Sequence, residues 1–148
     1  MAIKTSTGLR NQLMDTAALR TIFNLGFLNI YDGPVPATAD DALDAANHLL
    51  VQISNAGTGT GLTFAASAVG GAITKTLAET WSGVSVAAGD ASFYRLITPG
   101  DTGAQSTTYA RVQGLINTSG SDLNMTTTTL AISTSYPVDS FSLSLPTA

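Results

Sequence analysis

From Gly26 onward, the chain is a series of short apolar runs separated by turn residues. Residues 27–31 and 49–53 are the first two runs. Alternation is clearest near the carboxyl end, where Phe141, Leu143 and Leu145 stand on one side and serines on the other. The remaining runs cover residues 62–65, 72–75, 80–86, 91–97, 109–116, 122–125, 128–133 and 138–145. Short strands at this spacing, bounded by Gly, Pro and Asp turns, predict a mainly β protein.

The connections between these runs indicate how the strands pair. No helix long enough to cross between parallel strands is predicted after residue 48, so the sheets should be antiparallel. We therefore expect an antiparallel β-sandwich or jelly roll. Residues 37–47, which contain Asp40, Asp41 and Asp44, are interpreted as an exposed acidic loop or a single helical turn.

The first 25 residues have a helical spacing instead. The apolar side consists of Leu9, Leu13, Met14, Leu19, Ile22 and Phe23. Ser6 or Thr7 is a suitable cap for the first helix, and Thr16 can start a second one. We predict a short helical arm over residues 1–25 and a β-sandwich over residues 26–148, within a single domain. Two placements of the arm remain open: on its own domain's core, or on a neighbouring subunit.

Composition supports the β assignment and suggests assembly. Charged residues make up 11% of the chain, against about 25% in an average soluble domain. The polar residues are mostly hydroxyls, with 22 Thr and 14 Ser in the sequence, and β-branched Thr suits a pleated, half-exposed surface. Six basic and ten acidic residues give a net charge of −4. Because so few charges cannot cover the surface densely, we expect part of it to be buried against other chains.

The same composition argues against several partners. There is no basic surplus for nucleic acid, no run of about 18 apolar residues for a membrane span, and no secretion signal at the amino end. With no Cys, neither a disulfide framework nor a thiolate metal site is possible. We expect a protein that is made in the cytoplasm and whose stability does not depend on redox state.

The search for chemistry yields no catalytic, cofactor-binding or metal site. His48 is the single histidine and has no Cys to activate, and no Gly-x-Ser-x-Gly pattern is present. The three aspartates between residues 40 and 44 lack the spacing of a calcium loop. The glycines at 57, 59 and 61 precede a predicted strand and no Lys follows them, so they indicate a hairpin turn rather than a phosphate loop. Enzyme activity is not expected.

One small cluster deserves a second interpretation. Glu79, Trp81 and Arg95 are close enough in sequence order to form a binding patch, but a single Trp is more often a core or interface anchor. Trp81 therefore joins the six apolar residues of the arm as a candidate partner-interface residue.

Several segments of the chain resemble a known family. They are residues 28–42 with Leu49 and Leu50, residues 81–83, residues 87–95, residues 120–125, and residues 139–146. Together they resemble small virion proteins of tailed bacteriophages, over roughly Gly26 to Pro146. The resemblance implies a β-sandwich subunit present in many copies, similar to the head decoration (cement) proteins that lock capsid lattices. The shared positions are turns and core residues rather than a binding chemistry.

The leading hypothesis from sequence is a decoration protein on the outer capsid surface of the virion. Its partners would be the major capsid protein and copies of itself, as a homodimer or homotrimer. The alternative is a structural module of the tail, collar or fibre, which includes a binder of host-surface carbohydrate with an exposed aromatic patch at Trp81, Tyr94 or Tyr109. A secreted enzyme or lectin-like domain is disfavoured because both the signal segment and the site are missing.

Overall fold

The computed structural model of the protein describes residues 3–145. The elements are β1 (Lys4–Thr5), α1 (Thr7–Asp15), α2 (Leu19–Ile22), β2 (Phe27–Tyr31), β3 (Leu49–Asn55), β4 (Ala72–Thr74), β5 (Trp81–Val84), β6 (Gly89–Asp90), β7 (Phe93–Ile97), β8 (Arg111–Asn117), β9 (Leu123–Asn124), β10 (Thr129–Leu130), β11 (Ser135–Pro137) and β12 (Ser142–Ser144). Met1 and Ala2, the start of the segment searched for a secretion signal, lie outside the described residues, as does Pro146, where the resemblance ends.

One large sheet forms the base of the fold. Its strands lie in the order β1-β8-β7-β2-β3-β5-β11, and every neighbouring pair in that order is antiparallel. The apolar β2, β3, β7 and β8 occupy the middle, where both faces are covered, and all five residues of β7 are buried. The mainly β fold with antiparallel sheets is thus confirmed, while the jelly roll stays a prediction.

One strand pair departs from the expected antiparallel pairing. β9 pairs parallel with the end of β8, with Ile116 opposite Leu123 and Asn117 opposite Asn124. The carboxylate of Asp122 accepts a hydrogen bond from the backbone N–H of Leu115 at 2.9 Å. This bond holds the intervening loop beside β8, so a two-residue parallel pair forms without a crossover helix.

Smaller two-stranded sheets complete the fold. β4 pairs with β12, and β6 pairs with β10. The core contains an aromatic cluster in which the rings of Phe64, Trp81 and Tyr94 each lie within 6.4 Å of Phe141, measured between centroids. Such aromatic contacts stabilise a core beyond the area they bury.

Two predicted strands are interrupted for the same reason. Residues 62–65 make only isolated bridges, because Leu62 pairs with Gly26 while Phe64 pairs with Lys75. Residues 138–145 form only the short β12, because the N–H of Val138 is bonded to the oxygen of Trp81 at 2.8 Å. When nearby residues of one segment pair with different parts of the chain, no continuous ladder of backbone hydrogen bonds can form.

The amino-terminal arm folds onto its own domain. It begins as a strand, because β1 pairs with β8, and only then becomes helical. Ser6 caps α1: its hydroxyl accepts from the N–H of Leu9 at 3.1 Å and from the N–H of Arg111 at 2.8 Å. The helix packs so closely that a side chain on Gly8 would overlap the backbone of Thr108.

Candidate functional site

An apolar cavity lies between the arm and the β4–β12 pair. It has a volume of about 610 Å³ and is open to solvent. Its lining comprises Ile3, Thr5, Leu9, Leu13, Met14, Asp15, Thr16, Ala17, Ala18, Leu19, Ala68, Gly71, Ile73, Val112, Leu143, Ser144 and Leu145. We call this cavity the arm groove.

The arm groove has a buried apolar floor and an exposed apolar rim. Leu9, Ile73 and Leu143 belong to the floor and are at most 7% exposed, so they are part of the core. On the rim, Met14 is 86% exposed and Leu145 is 69% exposed. Large apolar side chains this exposed and this close to an apolar cavity are typical of a protein interaction site.

Two strand edges border the arm groove. β1 pairs with β8 on one side only, and β12 pairs with β4 on one side only. Within residues 3–145 no strand covers the second side of either. An uncovered edge leaves backbone N–H and C=O groups free to pair with another chain.

The charge of the arm groove is small and acidic. Asp15, at the last position of α1, is the single charged residue in the lining. No basic residue lies in the last turn of α1, where a cation would stabilise the negative end of the helix dipole. A phosphate-rich partner therefore finds no counter-charge in this groove.

The structure divides the seven candidate interface residues into three groups. Leu9, Phe23 and Trp81 are at most 1% exposed and lie in the chain's own core. Leu13, Leu19 and Ile22 are half-buried and pack against that core. Met14 alone is largely exposed. The arm packs on the core of its own domain, and Met14 is the candidate interface residue that this packing leaves largely exposed.

The patch considered at Glu79, Trp81 and Arg95 does not form. The indole N–H of Trp81 donates to the carboxylate of Glu79 at 3.0 Å, and that carboxylate also accepts from Thr63. Arg95 instead bonds to Gln113 at 2.9 Å. The Glu79 carboxylate therefore serves to satisfy a buried indole rather than to bind a ligand.

The exposed aromatic patch required by the carbohydrate-binding alternative is not found at the residues considered. Trp81 is 1% exposed and Tyr94 is fully buried, so only Tyr109, at 37%, reaches solvent. Burial raises the pKa of the Tyr94 hydroxyl well above its usual range, and the charge of Asp122 acts in the same direction.

Sequence reasoning missed a buried polar network on the other face of the large sheet. Arg111 and Asp101 form an ion pair in which both side chains are fully buried, with Nε–Oδ2 and Nη2–Oδ1 distances of 2.6 and 2.7 Å. Arg111 also donates to the carbonyl of Ala39 at 3.2 Å. The signal that could have indicated this network is the presence of Arg95 and Arg111 in two predicted apolar strands, with aspartates in two nearby loops.

This network fixes the segment expected to be an exposed acidic loop. The segment is a loop without a helical turn, but it is not simply solvated. Lys4 donates to the carbonyl of Ala37 at 2.9 Å, and Gln113 donates to that of Pro36 at 2.8 Å. The carboxylate of Asp40 accepts from the N–H and hydroxyl of Thr7 at the start of α1. The loop therefore ties the arm to the sheet.

Arg95 is the least compensated charge in this network. It is 1% exposed, its Nη1 has no hydrogen-bond partner, and its one strong bond is to neutral Gln113. Burial lowers the pKa of Arg95, and the neighbouring charge of Arg111 lowers it further. A buried cation without a carboxylate partner costs stability.

His48 lies at the surface beside Asp32. Its Nδ1 is 3.1 Å from Asp32 Oδ2, and its backbone N–H donates to Oδ1 at 2.7 Å. Burial alone would raise the pKa of Asp32, but these bonds from His48 lower it below its usual value. The pair closes the loop at the start of β3, and no Ser or Thr hydroxyl is hydrogen-bonded to the imidazole within residues 3–145.

Two further searches cover the part of the chain that the structure describes. Residues 3–145 contain no group of three or more His, Asp or Glu side chains placed to hold a metal ion. Over the same residues, neither helix has the length and apolar character needed to cross a membrane.

Comparisons with known proteins found no match to this chain. No protein-family model matches the chain, no curated protein matches its sequence, and no solved structure matches its fold. The arm groove and the composition of the chain are therefore the basis on which a function is inferred.

Proposed function

We propose that this protein is a structural subunit of a bacteriophage virion, and more specifically a decoration protein that stabilises the major-capsid lattice. The proposal combines the family resemblance of the sequence with one structural observation. That observation is the arm groove, a strongly apolar and nearly uncharged surface on a chain with few charges elsewhere.

The physical mechanism is burial repeated over a lattice. Each apolar square ångström removed from water contributes about 25 cal/mol, so a groove of this size gives a modest free energy at each contact. Closed symmetry repeats the same contact many times on one particle. Linked contacts of this kind hold together more strongly than any single contact does.

The burial of the aromatic side chains favours this role over a tail or fibre module that binds carbohydrate. Stacking on a sugar ring requires an accessible aromatic face, and the structure buries two of the three aromatic residues considered for it. The exposed apolar residues of the groove rim are aliphatic or Met side chains, which suit contact with protein.

Protein stoichiometry in purified virions tests the proposal. Quantitative mass spectrometry with labelled peptide standards should give well over about a hundred copies per particle, as expected for a component repeated with the shell symmetry. A count near that of the tail proteins, or absence from the particle, would contradict it. The major capsid protein and a tail protein, counted in the same sample, supply the reference values.

A further inference from the structure

We infer that the arm groove is closed by a second copy of this chain, in a twofold dimer whose β1 edges meet. The inference rests on the proposed role of the groove as a protein-binding surface, and it names the partner. It does not depend on where in a particle the dimer is located.

The strand edges are the first argument. β1 lines the groove through Thr5, next to Ile3, and one of its sides is unpaired in the described chain. Two identical edges that meet about a twofold axis perpendicular to the sheet run antiparallel, which is the pairing of all neighbours along the main strand order of the large sheet. A second copy thus supplies the backbone partners that this edge lacks.

The charge of the groove is the second argument. Its lining contains Asp15 and no basic residue, so its best partner is an apolar surface without strong charge. The same face of another copy meets this description, because the two faces are identical. The net charge of −4 is spread over the rest of the chain, and repulsion between distant charges is screened over about 8 Å at physiological ionic strength.

The size of the face is the third argument. Of the seventeen residues that line the groove, floor residues such as Leu9 and Ile73 are already buried in the core. The part that a partner can still cover is the rim, where Met14 and Leu145 are 86% and 69% exposed and the neighbouring Val69 is 80% exposed. Burial of these large apolar side chains on both copies would favour the dimer.

Shape completes the case. Met14 projects from the rim at 86% exposure, directly beside a cavity of about 610 Å³. Met is unbranched and flexible, so it fills irregular apolar spaces well. In a twofold arrangement, the Met14 side chain of each copy covers the cavity of the other.

Sedimentation velocity on the full chain tests the inference. Over a hundredfold range of concentration up to about 100 µM, the chain should change from monomer to dimer as mass action requires. Met14→Glu and Leu145→Glu each place a charge in the closed groove, and each should weaken the dimer at least about tenfold. Both residues are mostly exposed in the monomer, so the variants should keep the wild-type thermal unfolding at concentrations where the wild type is monomeric.

Leu77→Glu is the matched control. Leu77 is 97% exposed and lies outside the groove, so this variant should dimerise within about twofold of wild type. A monomer at every concentration, a trimer, or equal weakening by Leu77→Glu would each overturn the inference. If the chain dimerises but is scarce in virions, the proposed function fails alone; if it is abundant there but monomeric, only this inference fails.

Discussion

At the scale of single residues, the Arg111–Asp101 pair is the more deeply buried of the two ion pairs found within residues 3–145. Both side chains are completely buried and joined by two charge-assisted hydrogen bonds. Removal of the Asp101 carboxylate would leave the Arg111 guanidinium buried beside Arg95, which already lacks a carboxylate partner. The carboxylate of Asp101 therefore offsets the charge of two buried guanidinium groups, those of Arg111 and Arg95.

We expect Asp101→Ala to lower the free energy of unfolding by about 3–5 kcal/mol, the usual loss when one partner of a buried ion pair is removed. Denaturant unfolding followed by circular dichroism measures this loss. Asp139→Ala is the control, because Asp139 is exposed and forms no ion pair in the described chain. A loss below about 1 kcal/mol for Asp101→Ala, as is common at the surface, would contradict the prediction.

Asp32 predicts a pH dependence of stability. Its pKa is lower in the folded chain than its usual value of 3.8, so the folded state favours the charged form. Its contribution is therefore fully present above about pH 3.8 and is lost as the pH falls through the folded-state pKa. Asp32→Asn should destabilise the chain by less than about 1 kcal/mol at pH 7, since the pair is partly exposed.

The measurement is the difference in Tm between wild type and Asp32→Asn, followed from pH 7 to about pH 2.5. This difference should narrow below pH 3.8. His48→Ala separates the contribution of the imidazole from that of the backbone hydrogen bond, because it removes the imidazole but keeps the backbone N–H that donates to Asp32. A Tm difference that stays constant from pH 7 to about pH 2.5 would mean that the charge of the Asp32 carboxylate does not contribute to stability.

At the scale of elements, the docking of α1 is the feature with the clearest single-residue test. Gly8 lies in the first turn, where Ala would favour the helix by about 1 kcal/mol. However, an added Cβ would overlap the backbone of Thr108 and Tyr109. We expect Gly8→Ala to destabilise the chain by about 1–3 kcal/mol, the usual cost of overpacking.

Thermal unfolding of Gly8→Ala measures this effect, with Asn11→Ala as its control. Asn11 is exposed in the same helix, and Ala there should be neutral or slightly stabilising. Stabilisation by both substitutions would show that α1 does not pack on the residue 108–109 segment in solution.

The elements show what the sequence could and could not predict. β2, β3 and β7 followed from short apolar runs between turns, because strands buried on both faces need little else. Residues 62–65 did not form a strand, because pairing is decided by distant partners: Leu62 is the bridge partner of Gly26, and Phe64 is the bridge partner of Lys75. A pattern within one segment cannot specify which strands lie beside it.

The candidate site was predictable to a similar degree. The apolar spacing of the arm indicated the residues that line the groove, including Leu9, Leu13 and Met14. The prediction placed the buried Leu9 and the exposed Met14 on one apolar side, although a spacing of five residues puts them about 140° apart around the helix. The floor contributed by Ile73 and Leu143 comes from strands about 60 residues or more along the chain, a proximity that only the fold creates.

At the scale of the whole molecule, a quarter of the charged residues have their side chains inside the structure. Arg95, Arg111, Lys75 and Asp101 are buried in this way, so four of the sixteen charged residues do not help to hydrate the surface. The other charges are spread over a hydroxyl-rich surface that carries apolar residues around the arm groove. A surface of this kind favours association over isolation.

This distribution of charge predicts how association responds to salt. The groove contains one acidic residue, so ion pairs across the dimer are few, and raising the salt concentration has little attraction to screen. We expect the dimer dissociation constant to change less than about threefold between 50 and 500 mM NaCl. Sodium sulfate should strengthen the dimer, because sulfate is excluded from protein surfaces and favours apolar burial. Sedimentation at matched protein concentrations measures both responses, and Met14→Glu shows whether they arise at the groove. Dissociation of the wild type by NaCl would mean that charged residues outside the groove hold the copies together, and that the apolar face does not.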